Sequence, residues 1–155
     1  MDIRKWSDIQ KMAVFVPSEG RIVGWADDFY FKAGTNAIYA LRVRTRIDGD
    51  RSLPITGIKA VEKAHISIVN SQMLTKALPP LPQGEQLRGS KVVDESGNEA
   101  GTIQDVLLDV TRPNTLHIAA FEMAGNRHKT FTADEIVSYE DGSIIVYSRV
   151  ARRLR

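Results

Sequence analysis

The stretch Gly97-Asn98-Glu99-Ala100-Gly101-Thr102-Ile103-Gln104-Asp105-Val106-Leu107-Leu108-Asp109 constrains this chain more than any other. Its glycines mark a turn and a bend, and the apolar run behind them marks a buried strand. A fainter copy lies between Gly20 and Phe31. At an offset of 77, Val16, Gly20, Gly24 and Asp28 recur as Val93, Gly97, Gly101 and Asp105, while Phe29 and Phe31 recur as Val106 and Leu108. Four identities in that sixteen-residue window compare with roughly one expected from ordinary residue frequencies. From Asn36 the offset becomes 78: Asn36, Ile38, Val43, Leu53, Ile58, Ile66 and Ile68 match Asn114, Leu116, Phe121, Phe131, Ile136, Ile144 and Val146. Matched turn glycines and matched strand residues at one period define a structural unit. The chain is therefore expected to be a small β-domain written twice.

Each copy offers five or six short strands with turns every 8–12 residues or so, the spacing of a small barrel or sandwich. Ile3, Trp6 and Ile9 sit at helical spacing and predict one or two turns lying as a lid over the first core. The clearest strand of the first half runs from Tyr39 to Ile47. Alternation puts Tyr39, Leu41, Val43 and Ile47 on one face and Arg42, Arg44 and Arg46 on the other. Asp48-Gly49-Asp50 predicts the hairpin turn into Arg51–Ile55. Asn70 caps a predicted helix over Ser71–Leu78, which Pro79-Pro80-Leu81-Pro82-Gln83-Gly84 ends and follows as a semi-rigid spacer. Thr132-Ala133-Asp134-Glu135-Ile136 reads as a capped helical turn.

The chain of 155 residues suits one domain or two small ones. Having no Cys, it can form no disulfide and no thiolate metal site. Neither a signal peptide nor an apolar run of membrane-spanning length is present, so a cytoplasmic protein without a membrane span is expected. Charge is uneven: residues 1–78 carry 12 Lys/Arg against 8 Asp/Glu, and residues 79–148 carry 5 against 11. Opposite charge on the halves favours their docking on each other or steers a charged partner to one of them.

The residues Gly97-x3-Gly101-x-Ile103-x-Asp105-Val106-x-Leu108-Asp109, Thr132-x2-Glu135-Ile136 and Asp141-Gly142-x-Ile144-x-Val146 resemble the PRC-barrel family. The likeness covers Leu87 to Ser148 and extends to Met12–Val69, where Gly57 stands in place of Glu135 and Lys32 in place of Asp109. The resemblance implies an all-β protein of two small PRC-type β-barrels in tandem. Residues 1–78 would form the first barrel, 79–86 a proline-rich linker following the short helix, 87–148 the second barrel, and 149–155 a basic tail. In that family the barrel generally docks onto other proteins. Examples are the cytoplasmic part of the photosynthetic reaction-centre H subunit and the C-terminus of a maturation factor for the small ribosomal subunit. The chain shows neither the membrane helix of the first nor the extra N-terminal domain of the second, so neither specific function transfers.

No catalytic constellation emerges. Asp28 and Asp105 are equivalent positions, so they, with Asp27 and Asp109, read as backbone-binding carboxylates rather than metal or acid–base groups. His65, His117 and His128 lack metal-ligand spacing; by parity His117 shares a face with Phe121 and reads as core, and His128 falls in a turn. Neither metal nor cofactor is expected. The chain is expected to be a non-catalytic protein-interaction or scaffold module, alone, as a homo-oligomer or within a larger complex. The competing reading is an RNA- or ribosome-associated factor. It would use Arg42, Arg44 and Arg46 as a stripe about 7 Å from one guanidinium to the next, with Arg51 on the returning strand, together with Arg152, Arg153 and Arg155 of the tail, which either extends as an arm or packs across the acidic half. An enzyme with a pocket between the halves is the third class; it needs a polar concavity with perturbed titrating groups.

Overall fold

The computed structural model describes residues 1–125 and 129–155. In chain order it contains strand β1 (Ile3–Lys5), helix α1 (Trp6–Ile9), and strands β2 (Ala13–Val16), β3 (Arg21–Phe31), β4 (Ile38–Arg44), β5 (Asp50–Pro54), β6 (Ile58–Val61) and β7 (His65–Ile68). There follow β8 (Lys91–Val93), β9 (Glu99–Asp109), β10 (His117–Met123), β11 (Thr130–Phe131), β12 (Ile136–Glu140), β13 (Ser143–Val146) and helix α2 (Ser148–Leu154). Short 3-10 turns lie at Ile55–Gly57, Ser71–Met73, Gly84–Gln86 and Ala133–Glu135.

The strands form two mixed sheets with the same internal order, β5-β4-β3-β2-β7-β6 and β11-β10-β9-β8-β13-β12, and β1 joins the second sheet along β9. The β2–β7 and β8–β13 pairs are parallel. The long strands β3 and β9 each carry a bulge near the glycine bend, opposite Val14 and Val92. Gly24 is required there because a Cβ would lie 2.6 Å from the Arg44 carbonyl oxygen.

Among the described residues neither sheet closes. β5 does not pair with β6, and β11 does not pair with β12. The expected PRC-type barrels are therefore corrected to open sheets, and the family resemblance falls with them. Three of the outer edges, those of β5, β6 and β11, are contacted by other segments, which blunts them without closure. Ser52 of β5 exchanges both backbone hydrogen bonds with Thr75, at 2.9 and 2.8 Å. The Arg4 guanidinium donates to the carbonyls of Val61 and Glu62 beside β6. Arg153 donates to the carbonyl of Thr130 in β11, at 3.1 Å.

The tandem arrangement is corrected too, because each half's leading segment lies on the other half. β1 pairs with β9, with Ile3 opposite Asp109 and Lys5 opposite Leu107. In return, residues 82–86 cross onto β3: Phe31 donates to the Pro82 carbonyl at 3.1 Å, and Tyr30 bridges Gln83. Trp6, fully buried, stacks edge-on against Phe29 at 5.0 Å, and Phe31 meets Tyr139 at 5.8 Å. One apolar cluster consequently runs through both sheets. The N-terminal segment is thus more than a lid, since its strand completes the opposite sheet.

The predicted helix over Ser71–Leu78 reaches only Met73. Its proposed cap fails: Asn70 Oδ1 is buried and has no hydrogen-bond partner among the described residues, and Thr75 bridges to β5 instead of continuing a helix. The capped turn at Thr132 does form. The Glu135 carboxylate accepts the Thr132 N–H at 3.0 Å, and the Glu135 N–H returns to the Thr132 carbonyl.

Candidate functional site

Residues 75–86 form a strap across the outer face of β3, β4 and β5. One end is tied by the Thr75–Ser52 exchange. The other is held at Phe31, at Gln83, whose Oε1 accepts from Arg42 at 3.0 Å, and at Glu85, whose N–H donates to Asp28 Oδ1 at 2.9 Å. Trp6 Nε1 donates to Glu85 Oε1 at 2.7 Å, which pins the same turn from the buried side. Gly84 is obligatory, since a Cβ would fall 2.1 Å from the Phe29 ring. Between its anchors the strap is irregular, with bends at Lys76, Pro80 and Leu81. Among the described residues, residues 76–81 make no hydrogen bond to the rest of the chain.

The unanchored span stands against β4 and β5 and leaves a groove of about 670 Å³. Tyr39, Pro54, Leu78, Pro79, Pro80 and Leu81 form its walls, with the hydroxyl-bearing Ser52 and Thr75 beside them. Tyr39 is 60% exposed and Leu78 41%, two large apolar side chains converging on one depression. A bulge exposes Tyr39. Tyr30 pairs with Ala40 and Phe31 with Ile38, so Tyr39 is the unpaired extra residue and turns outward. Strict alternation misses this, and the adjacent apolar pair Ile38-Tyr39 was its only trace. Ile47 likewise leaves the expected core face, because β4 ends at Arg44 and Ile47 sits 92% exposed in the hairpin turn.

The arginines do not form a stripe. Arg42 lies 2.5 Å from Asp50 and 3.7 Å from Asp27, and Arg44 lies 3.5 Å from Asp27. Arg46 is off the strand, its guanidinium 5.3 Å from the centre of the Trp25 ring. Arg51 is turned onto the carbonyls of Asp48 and Asp50. Two aspartates interleaved with the guanidiniums offset their charge and leave no row facing outward. The tail is no arm either: α2 buries Val150, Ala151 and Leu154, Arg153 grips Glu135 at 2.8 Å, and Arg155 meets Asp94 at 3.1 Å. Arg152 is exposed. The nucleic-acid reading is corrected accordingly, and the barrel-based scaffold reading goes with the barrels.

Asp28, Asp105 and Asp109 serve backbone as expected, whereas Asp27 is turned onto Arg42 and Arg44. Asp28 Oδ1 accepts from its neighbour Phe29 at 2.8 Å as well as from Glu85. Asp105 Oδ1 accepts from Val106 at 2.9 Å and Ser7 at 3.3 Å. Burial, with the Glu85 and Asp27 charges adding to it, pushes the Asp28 carboxyl up to about 6 against the pull of its two N–H donors. His65 lies against Phe15. His117 is exposed rather than core, because the bulge between Ile118 and Ala120 reverses the parity linking it to Phe121. His128 lies outside the described residues.

A depression of about 620 Å³ lies where the halves meet, with Asp109, His117 and Asp134 among apolar residues on its walls. The Thr111 hydroxyl and N–H hold the Asp109 carboxyl below its usual range. Such a carboxylate is a stable acceptor and a poor proton acceptor at neutral pH. Among the described residues, no group of three metal-binding side chains occurs, and no helix is long and apolar enough to cross a membrane. No protein-family model matches the chain, and no curated protein matches it.

Proposed function

We propose that the chain is a docking module whose groove takes an extended, apolar segment of a partner protein. The observation that carries this reading is the convergence of exposed Tyr39 and Leu78 on a groove walled by prolines. Contiguous exposed apolar surface on a folded chain marks a place where another molecule sits. The backbone chemistry agrees. Pro79 and Pro80 carry no N–H, so the free span presents more acceptors than donors. An extended peptide supplies the missing N–H groups along its edge, and its alternate side chains fill the groove.

Titrating the isotope-labelled protein with capped octapeptides tests this reading. Alternating leucine and threonine, with and without a central proline, is compared with alternating glutamate and lysine. The apolar peptides are expected to move the resonances of Tyr39, Ala77, Leu78 and Leu81. Changing Tyr39→Ala together with Leu78→Ser is expected to weaken binding at least 10-fold, equivalent to about 1.4 kcal/mol. Both residues are exposed, so the fold survives the change. The absence of any shift at millimolar peptide, or shifts that ignore the double change, would remove the reading.

A further inference from the structure

We infer that the strap is a proton-coupled latch: Asp28 holds it shut, and the groove beside it is better formed in mildly acidic than in neutral solution. Of the ties at this end of the strap, which include Phe31–Pro82, Arg42–Gln83 and Trp6–Glu85, the one at Asp28 rests on a buried carboxyl. Asp28 Oδ1 alone receives both the Phe29 N–H from its own strand and the Glu85 N–H from the strap, at 2.8 and 2.9 Å. The surrounding charges do not compensate it. Glu85 on the strap and Asp27 on β3 bring like charge, while Arg42 and Arg44 of β4 are engaged by Asp27 and by Asp50 of β5. Arg88, beyond the strap, pairs with Glu85 at 3.4 Å. Tyr30, on the same strand face, is 2% exposed with a hydroxyl that has no partner among the described residues. Closing the strap therefore buries Asp28 among acids with no cation of its own.

The direction of the coupling follows. Shut, the carboxyl titrates at about 6; lifted into water it returns toward its ordinary 3.8. The closed state thus binds the proton more tightly, and closing takes one up between those two values. As pH rises through the closed-state value, closure weakens by at most about 100-fold, the equivalent of two pK units. Screening by the partly exposed neighbours reduces that ceiling.

The latch is independent of docking, whereas its consequence for the groove rests on the peptide-docking reading, so the experiment has two arms. In the first, without peptide, the Glu85 and Phe31 amides and the Trp6 indole N–H are followed by NMR from pH 4.5 to 8. Amide exchange is corrected for its intrinsic pH dependence. Protection at Glu85 and Phe31 is expected to fall from pH 4.5 upward and to level off just above the closed-state value of about 6. Asp28→Asn keeps an oxygen for both N–H donors and is expected to stay closed across the range. Glu85→Gln, which retains the acceptor for Trp6, is expected to lower the pH at which the fall levels off. A wild-type titration that persists in Asp28→Asn, or flat protection in the wild type, overturns the latch. In the second arm, the leucine–threonine octapeptide is expected to bind more tightly at pH 5 than at pH 7.5 to the wild type, and equally at both to Asp28→Asn. If the latch titrates while the peptide binds at neither pH, docking fails and the latch stands.

Discussion

Tyr139 contacts Phe31 across the junction of the two sheets, yet its hydroxyl is buried and finds no partner among the described residues. Burial alone pushes its phenol up to about 12, so it stays protonated and uncharged at physiological pH. An unsatisfied buried hydroxyl costs about 1–3 kcal/mol, whereas the ring contributes its packing regardless. Tyr139→Phe should therefore raise stability by about 1 kcal/mol, read as a higher melting temperature; a lower one would mean that the hydroxyl is satisfied in solution. Asp28 and Asp105 show what residue-level reading of sequence can and cannot reach. Their equivalence and chemistry mark both as acceptors for nearby backbone. That the second donor comes from Glu85 in one case and Ser7 in the other requires knowing that the leading segments cross, which no local pattern encodes.

At the scale of elements, strands and turns were largely legible, while faces were legible only between bulges. Alternation places Leu41 and Val43 correctly, both fully buried, and fails at Tyr39 and His117, where an extra residue reverses the parity. The C-terminal arginines were visible as charge, but Val150, Ala151 and Leu154 between them make the amphipathic stripe that docks α2. Arg153 then holds Glu135 at the capped turn, and this pair keeps the Glu135 carboxyl below its usual range. A depressed carboxyl contributes stability that is present above its ordinary 4.5 and lost as pH falls through the lower folded value. Arg153 is half exposed, so the contribution is no more than about 1 kcal/mol. Comparing urea midpoints of the wild type and Arg153→Ala should show a gap at pH 6 that narrows by pH 3. A gap that is constant with pH would assign Arg153 a packing role instead.

At the scale of the whole molecule, reciprocal crossing decides how the chain can come apart. β1 and α1 belong in sequence to the first half but supply a strand to β9 and a Ser7 donor to Asp105. Residues 82–86 belong to the second half but cover β3 and complete the surroundings of Trp6. Cutting the chain between Leu78 and Pro79 severs only the span that makes no hydrogen bond among the described residues, yet it separates each sheet from the segment that covers it. A fragment of about 75 residues buries little enough surface to be marginal even when complete, and here each fragment would also expose its partner's docking surface. Fragments 1–78 and 79–155 should therefore be unfolded or aggregated alone and should regain β-sheet circular dichroism and a cooperative melt when mixed in equal amounts. Length and composition permit two independent domains, and the proline run looks like their boundary, so a cooperative melt from either fragment by itself would restore that simpler picture. The structure favours the opposite outcome for a physical reason: the shared apolar cluster and the exchanged segments place the stabilising contacts across the cut rather than on either side of it.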